Sequence, residues 1–230
     1  DARQPDWAPD GQRIVFQAYR DGNWHIWSVG KDGQDLRQHT FGWFDDREPA
    51  WSHDGSRIIF SSDRSGNYDI WELNVASNLT TQITNDPMPD FAPVFAPNSD
   101  ALAYVKSRDP GGQVFVRQAD GNERAVAQVE GEIAGPSFSP DGRHLIFNEI
   151  EQGSSRLLLL ELGANTSAAE PHTVSSLGED VFPFRVAWIS NNEFLYTADG
   201  KVKHQRLLGN NLDSLLQQSP EIVEFEAPVA

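Results

Sequence analysis

The sequence predicts an all-β fold, a β-propeller of four-stranded antiparallel blades. Three observations predict it: five copies of one short pattern, near-constant spacing between the copies, and Pro, Gly and Asp punctuation between apolar runs. The copies centre on the aromatics Trp7, Trp51, Phe95, Phe138 and Trp188, which stand 44, 44, 43 and 50 residues apart. A period of about 40–45 residues is that of one propeller blade. A single domain is expected over residues 1–230, with blades at about 5–41, 48–85, 92–128, 135–175 and 183–227. Five repeats suit a closed five-bladed ring or part of a larger propeller.

Each repeat opens on a short aromatic strand and a tight turn: Pro5-Asp6-Trp7-Ala8-Pro9-Asp10-Gly11, Pro49-Ala50-Trp51-Ser52-His53-Asp54-Gly55, Pro93-Val94-Phe95-Ala96-Pro97-Asn98-Ser99 and Pro136-Ser137-Phe138-Ser139-Pro140-Asp141-Gly142. The Asp holds the turn through the backbone, and the Gly after it supplies a positive φ. A second strand follows, as in Arg13-Ile14-Val15-Phe16 and Arg57-Ile58-Ile59-Phe60. Polar hairpins, Arg20 to Asn23 and Asp63 to Asn67, lead to third strands, His25 to Val29 and Asp69 to Leu73, with period-2 alternation. A short outer strand such as Leu36 to His39 completes the blade. The fifth copy is looser, running from Arg185-Val186-Ala187-Trp188 through Glu193-Phe194-Leu195-Tyr196 to Lys201–Leu207. After it come an amphipathic stretch, Leu212 to Gln218, and an alternating outer strand, Glu221 to Phe225.

Composition narrows the function. With 18 Lys+Arg against 34 Asp+Glu the formal charge is −16, which excludes a nucleic-acid grip and a polybasic hold on lipid. Cysteine is absent, so disulfides, thiolate catalysis and Cys-ligated zinc fall together. No stretch approaches the roughly 18 apolar residues of a membrane helix, so no membrane insertion is expected. The opening Asp1-Ala2-Arg3-Gln4 carries no apolar signal core.

No nucleophile elbow, H-E-x-x-H or phosphate loop occurs, so the chain alone is not expected to be an enzyme. No two of His25, His39, His53, His144, His172 and His204 form a local ligand pair, and no cofactor is expected beyond a divalent cation that the channel could admit. Asn78-Leu79-Thr80 and Asn165-Thr166-Ser167 match the glycosylation sequon by chance. One local bias stands out. The linkers between blades, roughly 42–48, 85–91, 129–135 and 178–182, hold Asp45, Asp46, Glu48, Asp86, Asp90, Glu130, Glu132, Glu179 and Asp180 against Arg47. Blade topology gathers them at one end of the channel, beside Trp43, Phe44, Phe91 and Phe182. The expected binding residues are therefore Asp45, Asp46, Glu48, Asp86, Asp90, Trp43, Phe44 and Phe91, for a basic ligand.

The pattern W-S-P-D-G followed by I-x-F-x-S-D-R-x-G-x-x-x-I-W resembles the TolB-like propeller repeat, a relative of the WD repeat. Residues 49–73 carry it almost in full and 5–29 nearly so. The resemblance implies a propeller and a bacterial periplasmic or secreted location, with any signal peptide outside this chain. It also implies a non-catalytic scaffold that binds a protein, peptide or small ligand at its loop face. The alternative it offers is an accessory propeller of a larger secreted hydrolase, an amidohydrolase or serine peptidase, gating or docking substrate. Tol-system relatives carry an α/β domain ahead of the propeller, for which these residues leave no room, and their lipoprotein and colicin partners are not carried over.

Overall fold

The computed structural model describes residues 1–163, 170–207 and 219–224. All regular structure among them is strand. Blade 1 comprises β1 (Ala2–Trp7), β2 (Arg13–Arg20), β3 (Asn23–Gly30) and β4 (Arg37–Gln38). Blade 2 comprises β5 (Asp46–Trp51), β6 (Arg57–Ser62), β7 (Asp69–Asn74) and β8 (Thr80–Gln82). Blade 3 holds β9 (Asp90–Phe95), β10 (Leu102–Ser107), β11 (Gly112–Arg117) and β12 (Glu123–Val129). Blade 4 holds β13 (Glu132–Phe138), β14 (His144–Glu151), β15 (Ser154–Glu161) and β16 (His172–Thr173). Blade 5 holds β17 (Ala187–Ser190), β18 (Glu193–Ala198), β19 (Lys201–Arg206) and β20 (Glu221–Ile222). Each blade is one four-stranded antiparallel sheet in chain order, and the five are arranged in a ring as a propeller. The Leu212–Gln218 stretch, the 165–167 sequon and Phe225 lie outside the described residues.

The turn after each inner strand shows why the pattern repeats. Asp54 Oδ1 accepts the Ser52 hydroxyl at 2.6 Å and the Ser56 N–H at 3.0 Å, while Ser52 Oγ accepts the Arg57 N–H at 2.9 Å. Asp141, Ser139 and His144 repeat this in blade 4 at 2.6 and 2.9 Å. Gly55 and Gly142 both sit at φ 71°, where a side chain would be strained. These donors pull Asp54 well below the usual carboxylate range, the Ser52 hydroxyl most of all.

The core lies between blades. Ala8, Val15 and Ile26 of blade 1 pack on Trp51, Ile58, Phe60 and Leu73 of blade 2. Ala50, Ile59 and Ile70 then pack on Phe95, Leu102 and Tyr104 of blade 3. Two further clusters join blade 3 to blade 4 and blade 4 to Val181, Phe194, Tyr196 and Ala198. Period-2 alternation puts one row of each strand toward the blade before and the other toward the blade after.

Candidate functional site

The linkers and the hairpins between second and third strands meet at one end of the ring, and hydrogen bonds seat each linker on a hairpin. Asp45 Oδ1 accepts the Trp24 N–H at 2.9 Å, and Asp63 Oδ1 accepts the Asp45 N–H at 2.9 Å. Asn67 donates to the Asp86 carbonyl at 3.0 Å, and Asp199 accepts the Asp180 N–H at 3.0 Å. The loops of this end are built surfaces.

The acids expected there divide. β5 starts at Asp46 and β9 at Asp90, so both carboxylates head a strand instead of ending a linker, and neither has exposed surface. Asp46 takes Arg64 at 2.6 Å. Asp90 lies near Asp86, Asp69 and Lys106, and neither of its oxygens makes a hydrogen bond of ordinary geometry, although the Thr84 hydroxyl stands close enough to favour its ionised form. Burial first, then the Asp86 charge, pushes it up to about 7. Glu48 turns between blades, accepting the Ala92 N–H at 2.7 Å and the Ser61 hydroxyl at 2.9 Å. Asp45 pairs with Arg47 at 2.6 Å, and Asp86 with Lys106 at 2.5 Å. Burial raises the Asp45 carboxyl, but the Trp24 N–H and Arg47 outweigh it and hold it below its ordinary value.

The aromatics behave differently. Trp43 is 88% exposed, the Trp43 carbonyl accepts Asn23 at 3.2 Å, and Phe44 stands 5.8 Å from the Arg64 guanidinium. Phe91 is half-buried against Tyr68, ring centres 5.0 Å apart. Sequence reasoning missed Met88 in these linkers and Phe41 and Phe184 beside them, all exposed; Phe184 stacks on Phe182 at 6.2 Å. A cleft of about 920 Å³ opens at this end between blades 4 and 5, lined by Glu149, Arg156, Ser175, Glu179 and Asp180 among others.

The axis holds a cation that the charge count did not foresee. Arg185 reaches from the blade 5 linker to the carbonyls of Pro93 at 2.8 Å and Pro49 at 3.4 Å. It also lies near Asp6, whose carboxyl burial raises while Arg185 draws it back. Gly135 lets the backbone of the blade 5 linker approach, since a Cβ there would stand 2.9 Å from the Arg185 backbone nitrogen. Among the described residues no group of three or more His, Asp or Glu side chains is placed to hold a metal ion.

A family model described as the TolB beta propeller domain matches residues 2–87. The Tol-Pal system protein TolB of Bordetella pertussis is 44% identical over 138 residues, 60% of this chain and 31% of that protein. Over residues 2–87 the chain is similar to the TolB propeller family, and its five blades form a β-propeller. It spans about a third of the length of that relative. TolB from Acinetobacter baumannii superposes with a TM-score of 0.66 at 17% identity, covering 90% of this chain and 52% of that one. A Mycobacterium tuberculosis puromycin-hydrolyzing peptidase gives 0.70 at 16% identity, over 98% of this chain and 38% of the peptidase. At such identities these two likenesses describe the fold.

Proposed function

We propose that this TolB-like propeller is a non-catalytic scaffold of the bacterial periplasm or exterior that binds a protein or peptide at its linker face. The observation that carries the reading is Trp43, a large aromatic left 88% exposed on a linker that hydrogen bonds hold in place. Exposed aromatics on a rigid support are what a binding hot spot uses, because little ordering entropy is lost on contact. Phe44, Met88, Phe182 and Phe184 are also exposed on or beside the linkers, and Phe91 is half-buried against Tyr68. Glu130, Glu132 and Asp180 are exposed on other linkers of the same end, so a basic residue on the ligand completes its chemistry. The Tol-Pal name of the relative supports a protein partner.

The test uses a displayed random peptide library selected on the chain, followed by calorimetry on the winners. Trp43→Ala should weaken binding at least about tenfold with the melting temperature unchanged. Added salt should weaken it further, through screening over roughly 8–10 Å. Peptides indifferent to Trp43→Ala and Phe44→Ala would refute the assignment of this face.

A further inference from the structure

Five side chains at the linker end form one continuous arc of flat groups. The Tyr19 and Trp24 ring centres stand 5.5 Å apart, and the Arg47 guanidinium lies 5.8 Å from the Trp24 ring and 5.7 Å from that of Tyr68. Tyr68 in turn meets Phe91 at 5.0 Å. The arc thus runs from blade 1 across blade 2 to blade 3. Tyr19 is 48% exposed, and Trp24, Arg47, Tyr68 and Phe91 each keep part of their surface in solvent. Trp43 stands beside it, its carbonyl held by Asn23, the neighbour of Trp24.

Folding alone does not ask for these rings. Strand register makes Trp24 and Tyr68 equivalent, and the same position in blades 3, 4 and 5 holds Gly112, Ser155 and Gly200. Three blades therefore close the same hairpin without an aromatic.

The polar tips of the arc specify what it can take. Among the described residues the Tyr19 hydroxyl, the Trp24 indole N–H and the Tyr68 hydroxyl have no hydrogen-bond partner, and Arg47 commits one nitrogen to Asp45 at 2.6 Å. The arc therefore offers ring faces together with N–H and O–H donors. A proline-rich segment is the complement: its pyrrolidine rings lie on aromatics, and its carbonyls are acceptors with no N–H beside them. It also arrives in the polyproline II conformation, so little ordering entropy is lost on contact. Trp24 and Tyr68 flank one guanidinium and stand no more than about 12 Å apart, close to the ~9 Å over which a polyproline II helix repeats its face. The Asp45, Asp63 and Glu48 carboxylates lie close enough to act on the Tyr68 hydroxyl, against Arg47 alone, so a basic residue at the flank of the prolines completes the match.

We propose that the arc from Tyr19 to Phe91 binds a proline-rich peptide in the polyproline II conformation with a basic residue at one flank. The assignment rests on the peptide-binding reading of this face and names the partner's class.

The full chain is titrated by calorimetry with a capped peptide of one arginine followed by a run of prolines. The control peptide has alternate prolines replaced by glycine at the same charge. The proline peptide should bind at least about tenfold more tightly than the control. Tyr19→Ala should weaken it several-fold with the melting temperature unchanged, because that ring is half exposed. Tyr68→Phe, which keeps the ring and removes the donor, should also weaken it several-fold. Equal affinity for the two peptides would show that charge alone binds and would overturn the proposal. Failure to bind at millimolar peptide, or binding indifferent to both variants, overturns it too. So does cellohexaose bound in place of the peptide and lost in Tyr19→Ala, which would assign the arc to a sugar chain. The wider reading fails separately. Library-selected peptides that need Trp43, contain no proline and ignore Tyr19→Ala overturn the proline assignment alone. Proline-peptide binding that needs Tyr19 and ignores Trp43→Ala upholds the arc and refutes Trp43 as the anchor.

Discussion

The Asp6 carboxylate of blade 1 accepts the Trp51 backbone N–H of blade 2 at 2.7 Å, so a side chain on one inner strand fastens the main chain of the next. The same device recurs with other chemistry. Glu48 of blade 2 accepts the Ala92 N–H of blade 3, and the Ser137 hydroxyl of blade 4 donates to the Val186 carbonyl at 3.3 Å. These bonds fix the pitch between sheets that apolar packing alone would leave free to slide. Asp6→Ala should cost about 1.5–3 kcal/mol in urea unfolding, the range for a buried charge-assisted bond, and Asp6→Asn clearly less because an acceptor remains.

Trp51 and Trp7 test burial at equivalent positions. Trp51→Ala empties a covered site and should destabilise by about 3–5 kcal/mol. Trp7→Ala should cost well under half of that by the same measurement, because Trp7 is already 54% exposed.

His53 occupies the turn slot filled by Pro9 and Pro140 in other repeats, and its ring stands 4.0 Å from Asp100 in an exposed setting. His53→Pro should therefore change the melting temperature little, or raise it by the equivalent of about 0.4–1 kcal/mol through a stiffer unfolded chain. A loss of several degrees would give His53 a role its counterparts lack.

The repeat was legible because its chemistry is local: Ser52, Asp54, Gly55 and Arg57 close one turn within six residues. Trp43 was legible for the same reason, as a bulky side chain in a polar linker. The orientation of the acids was not. Whether Asp46 faces solvent or core depends on where β5 starts and on Arg64, 18 residues later. Arg185 was less accessible still, since its partners Pro49 and Pro93 lie 136 and 92 residues away and meet it only once the ring has formed.

Asp90 makes stability depend on pH. Its folded pKa stands at about 7, above the ordinary 3.8, chiefly through burial, with Asp86 and Asp69 adding to the rise and Thr84 and Lys106 opposing it. A carboxyl raised on folding contributes its full stability below about pH 4 and loses it as pH rises through 7. Between pH 5 and 8 the chain should lose about 2–4 kcal/mol from this group. Asp90→Asn, neutral throughout, should show a flatter profile in urea unfolding across that window. An unchanged slope would mean that Asp90 ionises freely in the folded state.

Arg185 offers the sharpest test of how the ring is held. One guanidinium bonds backbone carbonyls on blades 2 and 3 and lies near the Asp6 carboxylate on blade 1. The planar fork can satisfy acceptors on separate inner strands at once, which a lysine ammonium on a flexible stem cannot do in the same geometry. Its removal also takes away the cation that holds the Asp6 carboxyl down against burial. Arg185→Met should cost about 2–3 kcal/mol, since two charge-assisted bonds are lost and one of them, to Pro49, is long. Arg185→Lys should recover only part of this. The coupling to Asp6 separates a strut from mere packing. With Arg185 gone, the folded Asp6 pKa rises further, so the variant's stability should fall more as pH climbs above about 4 than the parent's does. In the Asp6→Ala background that extra slope should vanish, and the two substitutions together should cost less than the sum of their separate effects. Strict additivity with parallel pH profiles would show that Arg185 and Asp6 act independently.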